Sequence, residues 1–205
     1  MKKLINSLIN TNWYSEPVSR VERCKKMGQN GVTLWFTGLS GAGKSTLAFS
    51  LDHRLLEAGK KSYVLDGDLL RDGLNSNLGF SAADREENIR RVGEVSLLAA
   101  DAGLIVLSCF ISPFRKDRRR VRELHQRNGI PFVEVYMDTS LELCEKRDSK
   151  QLYYRARRGE IDDFTGISSP YEVPENPEII VRSTQSPVEA AEIVYAYLQK
   201  KGLVE

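Results

Sequence analysis

Residues 32–46 read Val32-Thr33-Leu34-Trp35-Phe36-Thr37-Gly38-Leu39-Ser40-Gly41-Ala42-Gly43-Lys44-Ser45-Thr46, and this stretch decides the fold. Val32–Thr37 is a short, mostly apolar run of the kind that forms a buried strand. Gly38–Ser45 fits the pattern G-x-x-x-x-G-K-[ST]. Helical character follows from Lys44 to Ala58, and Gly59 suits the position just past a helix end. Strand, glycine-rich turn and helix in this order build a phosphate cradle. The glycines let the backbone curl so that several N–H groups point inward, and the helix N-terminus adds partial positive charge. Lys44 has the reach for β- and γ-phosphates, and the Ser45 hydroxyl is a ligand for Mg²⁺. The pattern points to a nucleoside triphosphate. It leaves the reaction open, because kinases, GTPases, motors and transporters share it.

The rest of the chain repeats the alternation of strand and helix. Ser62–Asp66 predicts a second strand. Ser81 caps a long helix that ends at Gly103, and Leu104–Ile111 predicts a third strand. Phe114–Asn128 reads as a helix closed by Gly129. Phe132–Asp138 and Glu178–Arg182 predict the fourth and fifth strands, and Ser186-Pro187 opens a last helix. The expected fold is therefore α/β: a five-stranded, mainly parallel sheet flanked by helices on both faces. Residues 1–30 read as a polar N-terminal extension and residues 31–205 as one domain. Residues 149–177, charged and without a clear period, read as an inserted lid.

Composition excludes several classes. Thirty Lys and Arg against 28 Asp and Glu give a formal charge of +2, which makes no global case for nucleic acid or membrane as a partner. The most apolar stretch, Gly103–Ile111, is too short to span a bilayer, and Asn6 and Ser7 interrupt the N-terminal apolar run that a signal peptide would need. Cys24, Cys109 and Cys144 are widely spaced, which argues against a disulfide framework or zinc site and suits the cytoplasm. His53 and His125 stand alone, so no metal cluster is expected from them, and Trp13 and Trp35 read as packing residues. The basic run Arg115, Lys116, Arg118, Arg119, Arg120 and Arg122 reads as a solvated helix face, without the interleaved aromatics that base stacking would need.

Asp66-Gly67-Asp68 closes the second strand, where a doubly wound sheet opens its ligand crevice. Two carboxylates there suit Mg²⁺ held through water, or the acceptance of a proton from an attacking hydroxyl. Arg71, Arg85 and Arg90 follow, interleaved with Phe80 and Asn88. Arginines for an anion and an aromatic for a base suit a second, nucleotide-like ligand.

Taken in order, five blocks resemble adenylyl-sulfate kinase, a P-loop kinase family. They are Gly38–Ser45, Asp66-Gly67-Asp68, Phe80-Ser81 with Arg85–Arg91, Phe110-Ile111-Ser112-Pro113, and Asp163-Phe164-Thr165-Gly166-Ile167 with Ser169-Pro170-Tyr171-Glu172. The resemblance implies a P-loop NTPase fold with a mobile lid. It implies transfer of the γ-phosphate of MgATP to the 3′-hydroxyl of adenosine 5′-phosphosulfate, giving 3′-phosphoadenylyl sulfate and ADP. For ATP it implies Gly38, Leu39, Ser40, Gly41, Ala42, Gly43, Lys44, Ser45, Thr46 and Arg147, with Mg²⁺ at Ser45 and, partly through water, Asp66. For the acceptor it implies Asp66, Asp68, Arg71, Phe80, Arg85, Asn88, Ile111, Ser112, Lys150, Arg155, Phe164 and Thr165, with Phe80 and Phe164 around the adenine. Catalysis falls to Lys44, Asp66 and Asp68. The family pattern also makes Ser112 a phosphoserine intermediate, but no base accompanies it in the sequence, and direct in-line transfer is the preferred mechanism. A homodimer and an ATP sulfurylase partner are further implications.

One departure stands in the lid, where Ser149, Gln151 and Tyr154 replace the proline, glycine and lysine of the family pattern. Alternative readings are another small-molecule P-loop kinase, a GTPase-type switch and a catalytically silent binding subunit. Asp163–Gly166 matches D-x-x-G, but no Asn-Lys-x-Asp guanine motif occurs.

Overall fold

The computed structural model describes residues 17–205; residues 1–16, and with them Trp13, lie outside it. Its elements run α1 (Arg20–Met27), β1 (Val32–Thr37), α2 (Lys44–Glu57), β2 (Ser62–Asp66), α3 (Gly67–Asp72), α4 (Ala82–Asp101), β3 (Ile105–Cys109), α5 (Arg115–Arg127), β4 (Phe132–Asp138), α6 (Leu141–Lys146), α7 (Leu152–Arg157), β5 (Ile179–Arg182) and α8 (Pro187–Lys200). The five strands form one sheet in the order β2-β3-β1-β4-β5, with every pair parallel.

β1 lies at the centre, and all six of its residues are buried. Its side chains still alternate. Val32, Leu34 and Phe36 enter the core that α2 and α8 cover, with Leu51, Leu55, Val194 and Leu198. Trp35 enters the opposite core, with Val92 of α4, Val121 of α5 and Phe132 of β4. A strand covered on both faces must be apolar on both, which is why the run shows no polar alternation.

The helix ends follow local chemistry. Ser81 caps α4 by accepting from the Asp84 N–H, and Ser186 with Glu189 forms a capping box on α8 with Pro187 at its start. Residues 17–30 of the polar extension carry α1, which the sequence reading did not anticipate. It has its own capping box, Ser19 with Glu22. Arg20 Nη1 donates to the carbonyls of Asn128 (3.1 Å) and Gly129 (2.8 Å), and Gln29 Nε2 donates to those of Gly103 (2.7 Å) and Lys61 (2.8 Å). The short helices α3, α6 and α7 also went unread, because one or two turns carry too little period to stand out.

The expected solvated face of α5 needs correction. Arg118 is buried at 3% exposure, and Arg122 is half-buried between Glu134 and Glu178. Arg119 and Arg120 are exposed as expected. His125 is fully buried, with Nε2 against the Thr33 hydroxyl (2.9 Å) and Nδ1 against the Val121 carbonyl (2.8 Å). Among the described residues no helix is long and apolar enough to cross a membrane.

Gly31 precedes β1, and a Cβ there would sit 1.8 Å from the Ala100 carbonyl oxygen at the end of α4. Backbone cannot yield as a side chain does. Gly31→Ala is expected to lower stability by about 3 kcal/mol, read from the urea midpoint; an unchanged midpoint would mean that the α4 terminus gives way freely.

Candidate active site

The loop between β1 and α2 is shaped by glycine. Gly41 has φ 73°, and a Cβ on it would stand 3.2 Å from the Cys144 carbonyl oxygen. That contact also places the backbone of Cys144 behind the loop. Lys44, at 9% exposure, curls back so that Nζ donates to the carbonyls of Gly38 (3.0 Å) and Leu39 (2.7 Å). Burial disfavours its charge and pulls its pKa down to about 8, against the opposing pull of Asp66 and Asp68 among its neighbours.

Ser45 Oγ donates to Asp66 Oδ2 at 2.5 Å, and Asp66 Oδ1 accepts the N–H of Asp68 at 2.9 Å. The first bond joins the start of α2 to the end of β2, and the second caps α3. Asp68 itself is exposed and pairs with Lys150 from the insertion.

These groups open on one cavity of about 1180 Å³. It brings together Ser40–Thr46, Asp66, Asp68, Arg71, Phe80, Arg85, Asn88, Ile111, Ser112, Arg147, Lys150, Arg155, Phe164 and Thr165. Gly38 and Leu39 do not line it; they shape the loop from behind, and Leu39 faces a separate groove with Tyr136 and Tyr171. Arg90 turns away and pairs with Glu87 at 2.7 Å.

Lys44, Arg71, Arg85, Arg147, Lys150, Arg155 and Arg182 face four lining carboxylates, Asp66, Asp68, Asp148 and Asp162, so the cavity favours anions. Arg71 lies 4.2 Å over the ring of Phe80, which is 60% exposed. Phe164 is buried and meets Tyr153 edge-on at 5.0 Å. Arg85 reaches Thr165 Oγ1 (2.8 Å), the Phe80 carbonyl (2.8 Å) and the Asp163 carbonyl. Asn88 Oδ1 accepts from Asn75 Nδ2 at 2.9 Å.

Ser112 is buried in the left-handed region, with φ 41°. Its Oγ accepts from Trp35 Nε1 (3.1 Å) and donates to the Phe110 carbonyl (3.3 Å). No general base shares those bonds.

Sequence reasoning missed several lining residues. Arg182, Ser183 and Gln185 sit at the end of β5 and just beyond. The rule that strand C-termini line the crevice, applied to the fifth strand as to the second, would have found them. Tyr153, whose OH donates to the Ser40 carbonyl at 2.8 Å, carried no local signal.

A parallel sheet with a glycine cradle at its central strand, backed by an acidic pair and facing an arginine-rich, aromatic-flanked recess, defines a P-loop kinase. The adenylylsulphate kinase family model matches residues 30–182. A relative from Staphylococcus carnosus, an adenylyl-sulfate kinase, is 54% identical over 95% of this chain and 98% of that protein. Adenylyl-sulfate kinase 3 of Arabidopsis thaliana is 52% identical over 98% of each chain. The structure of the Mycobacterium tuberculosis APS kinase in complex with AMPPNP and APS superposes with a TM-score of 0.82 at 51% identity, covering 83% of this chain and 99% of that one. The chain belongs to the adenylylsulphate kinase family.

The depressed pKa of Lys44 carries a signed pH dependence. Bound phosphate favours the ammonium, which the free protein loses as pH rises through about 8. Affinity for a non-hydrolysable ATP analogue is expected to hold below that pH and to weaken by up to about tenfold per pH unit above it. Calorimetric titration between neutral and alkaline pH reads this directly, and a flat profile would sink it.

Proposed function

We propose that the cavity transfers the γ-phosphoryl group of ATP to the 3′-hydroxyl of adenosine 5′-phosphosulfate, giving 3′-phosphoadenylyl sulfate and ADP. One observation carries the reading. The phosphate cradle and the group Arg71, Phe80, Arg85, Asn88 and Phe164 share one continuous cavity with Asp66 and Asp68. A switch GTPase has no use for the second group. Family membership supports the same choice over other small-molecule kinases.

Arg71 and Arg85 supply guanidiniums to the phosphosulfate, and Asn88 supplies an amide. Asn75 occupies Asn88 Oδ1, which leaves the Asn88 Nδ2 donors for the ligand. Phe80 and Phe164 flank the adenine; Arg71 already covers one face of Phe80, so the base takes the other.

On the donor side, Lys44 exchanges the Gly38 and Leu39 carbonyls for phosphate oxygens, and the loop N–H groups hold the remainder. Arg147 lines the same cavity and is the further contact to ATP.

Ser45 and Asp66 fit Mg²⁺. They offer hydroxyl and carboxylate oxygens already drawn together, and no three His, Cys, Asp or Glu side chains cluster as a metal cage among the described residues. A small hard cation that keeps much of its water and takes phosphate oxygens suits such a pair. When bound, it neutralises charge on the transferring group.

Asp66 is engaged by Ser45 and by the Asp68 N–H, whereas Asp68 is exposed. Asp68 is therefore the better group to accept the 3′-hydroxyl proton. As that oxygen bonds to the γ-phosphorus, the bond from phosphorus to the β–γ bridging oxygen breaks, and the electron pair leaves with ADP. Lys150, released from Asp68, and Arg155 close over the phosphoryl group and exclude water. The Ser112 hydroxyl, spent between Trp35 and Phe110, supports direct transfer without a phosphoserine.

Three unpaired, buried cysteines support the cytoplasm as the compartment. The proposal includes a homodimer as the working unit and an ATP sulfurylase partner, as the resemblance to adenylyl-sulfate kinases implies.

Chromatography of reactions containing MgATP and adenosine 5′-phosphosulfate tests the reading; ADP formed equally without the acceptor would overturn it. Asp68→Asn is expected to lower kcat by about 10²–10⁴-fold with MgATP affinity held. Loss of that affinity instead would return the metal role to Asp68. Incubation with γ-labelled ATP without acceptor is expected to leave the protein unlabelled, and a label that chases into product would establish the serine intermediate.

A further inference from the structure

Arg118 and Glu134 are a buried ion pair outside the cavity, with side-chain exposures of 3% and 10% and a 2.8 Å bond from Nε to Oε1. Removing both charges from water costs about what their attraction returns, so such a pair is weak evidence for stability. The other guanidinium nitrogens show what else it does. Nη1 donates to the Ser112 carbonyl at 2.6 Å, and Nη2 donates to the Glu172 carbonyl at 2.6 Å.

The Ser112 carbonyl belongs to a wall of the acceptor recess, the turn after β3 with Ile111 and Ser112. The Glu172 carbonyl lies beyond that recess, on the segment whose first residues, Phe164 and Thr165, line it as the other wall. Further bonds join the two segments: the Arg115 N–H donates to Glu172 Oε2 at 2.7 Å, and Arg115 Nε donates to the Val173 carbonyl at 2.7 Å. The Glu172 N–H donates to the Pro113 carbonyl at 2.9 Å. The Thr37 hydroxyl donates to the Ile111 carbonyl at 2.8 Å, so the Tyr171 OH, 2.9 Å away, is the donor to Thr37. Thr165 in turn accepts from Arg85. Glu134 is itself oriented by Arg122 Nη2 (3.2 Å), and Glu178, held by Arg122, accepts the Glu134 N–H at 2.7 Å.

We propose that Arg118 is a positioning residue for the acceptor half of the site: its planar fork joins the Ser112 turn to the Glu172 segment and thereby sets the spacing of the two recess walls. Lysine cannot substitute, because a single ammonium on a flexible stem has no fork to serve a carboxylate and two carbonyls in one plane. The effect falls on the acceptor and spares the donor loop, which Arg118 does not touch.

The proposal uses the phosphosulfate reading only through its assay, so the two fail differently. Wild-type protein that does not turn over the phosphosulfate overturns that reading. Given turnover, Arg118→Lys is expected to raise KM for the phosphosulfate by about tenfold with KM for ATP within about twofold. A role confined to stability would lower kcat through the active fraction and leave both KM values alone. That result, or equal rises in both, overturns the tie. Glu134→Gln keeps an acceptor for Nε and is expected to hold KM for the phosphosulfate near wild type; a rise as large as that of Arg118→Lys would overturn the assignment to the fork. If Arg118→Lys does not fold, Tyr171→Phe removes the Thr37 bond at the same junction. It is expected to raise KM for the phosphosulfate two- to threefold or so with KM for ATP unchanged, and no change there would also overturn the tie.

Discussion

A phosphate cradle must hold backbone N–H groups unpaired within the chain and yet fixed in space, and here β1 does the fixing. The strand is flanked by β3 and β4 and buried on both faces, so its C-terminal end is clamped from four directions. The loop that leaves it is then free of side chains where it must be, and its lysine is buried against its own carbonyls. The cost of that arrangement is visible in Lys44, whose charge is disfavoured until an anion arrives. The same burial that weakens the ammonium in the free protein strengthens its attraction for phosphate, because little water competes for it.

From that point the other functional groups are placed by strand ends. β2 delivers Asp66 to Ser45, and β3 delivers Ile111 and Ser112. β5 delivers Arg182 to the far side. Parallel strands present all their C-termini at one edge of the sheet, so residues far apart in the chain converge without any element being built for the purpose. The insertion after β4 then adds what the sheet cannot: Lys150, Arg155, Phe164 and Thr165, on a segment that leans on the body through Tyr153, Arg85 and Arg118.

Charge is distributed by the same logic. The chain as a whole is nearly neutral, yet cations outnumber carboxylates around the cavity. On α5 the basic run divides by helix face. Arg119 and Arg120 meet solvent, while Arg118 and Arg122 turn inward to Glu134 and Glu178. A run of like charge therefore holds two populations, and only the fold separates them. Glu134 lies on an interior strand whose other residues up to Met137 are apolar or aromatic, and that mismatch is the local hint that a buried cation faces it.

Read alone, the sequence determined the alternating strands and helices, the parallel α/β class and the glycine-rich turn after the first strand, because each rests on residues adjacent in the chain and on a local rule. β1, β2 and β4 are found at the expected residues, and β3 and β5 within about two. The short helices were not legible, nor was the anchoring of α1, because their stability comes from contacts such as Arg20 with Gly129 rather than from their own period. Tertiary structure alone decided that Lys44 is buried, that Arg90 leaves the recess and that Arg118 enters the core. The Arg118 outcome depends on which distant backbone or side chain lies within about 3 Å, the reach of a hydrogen bond, and no spacing within one segment encodes that distance.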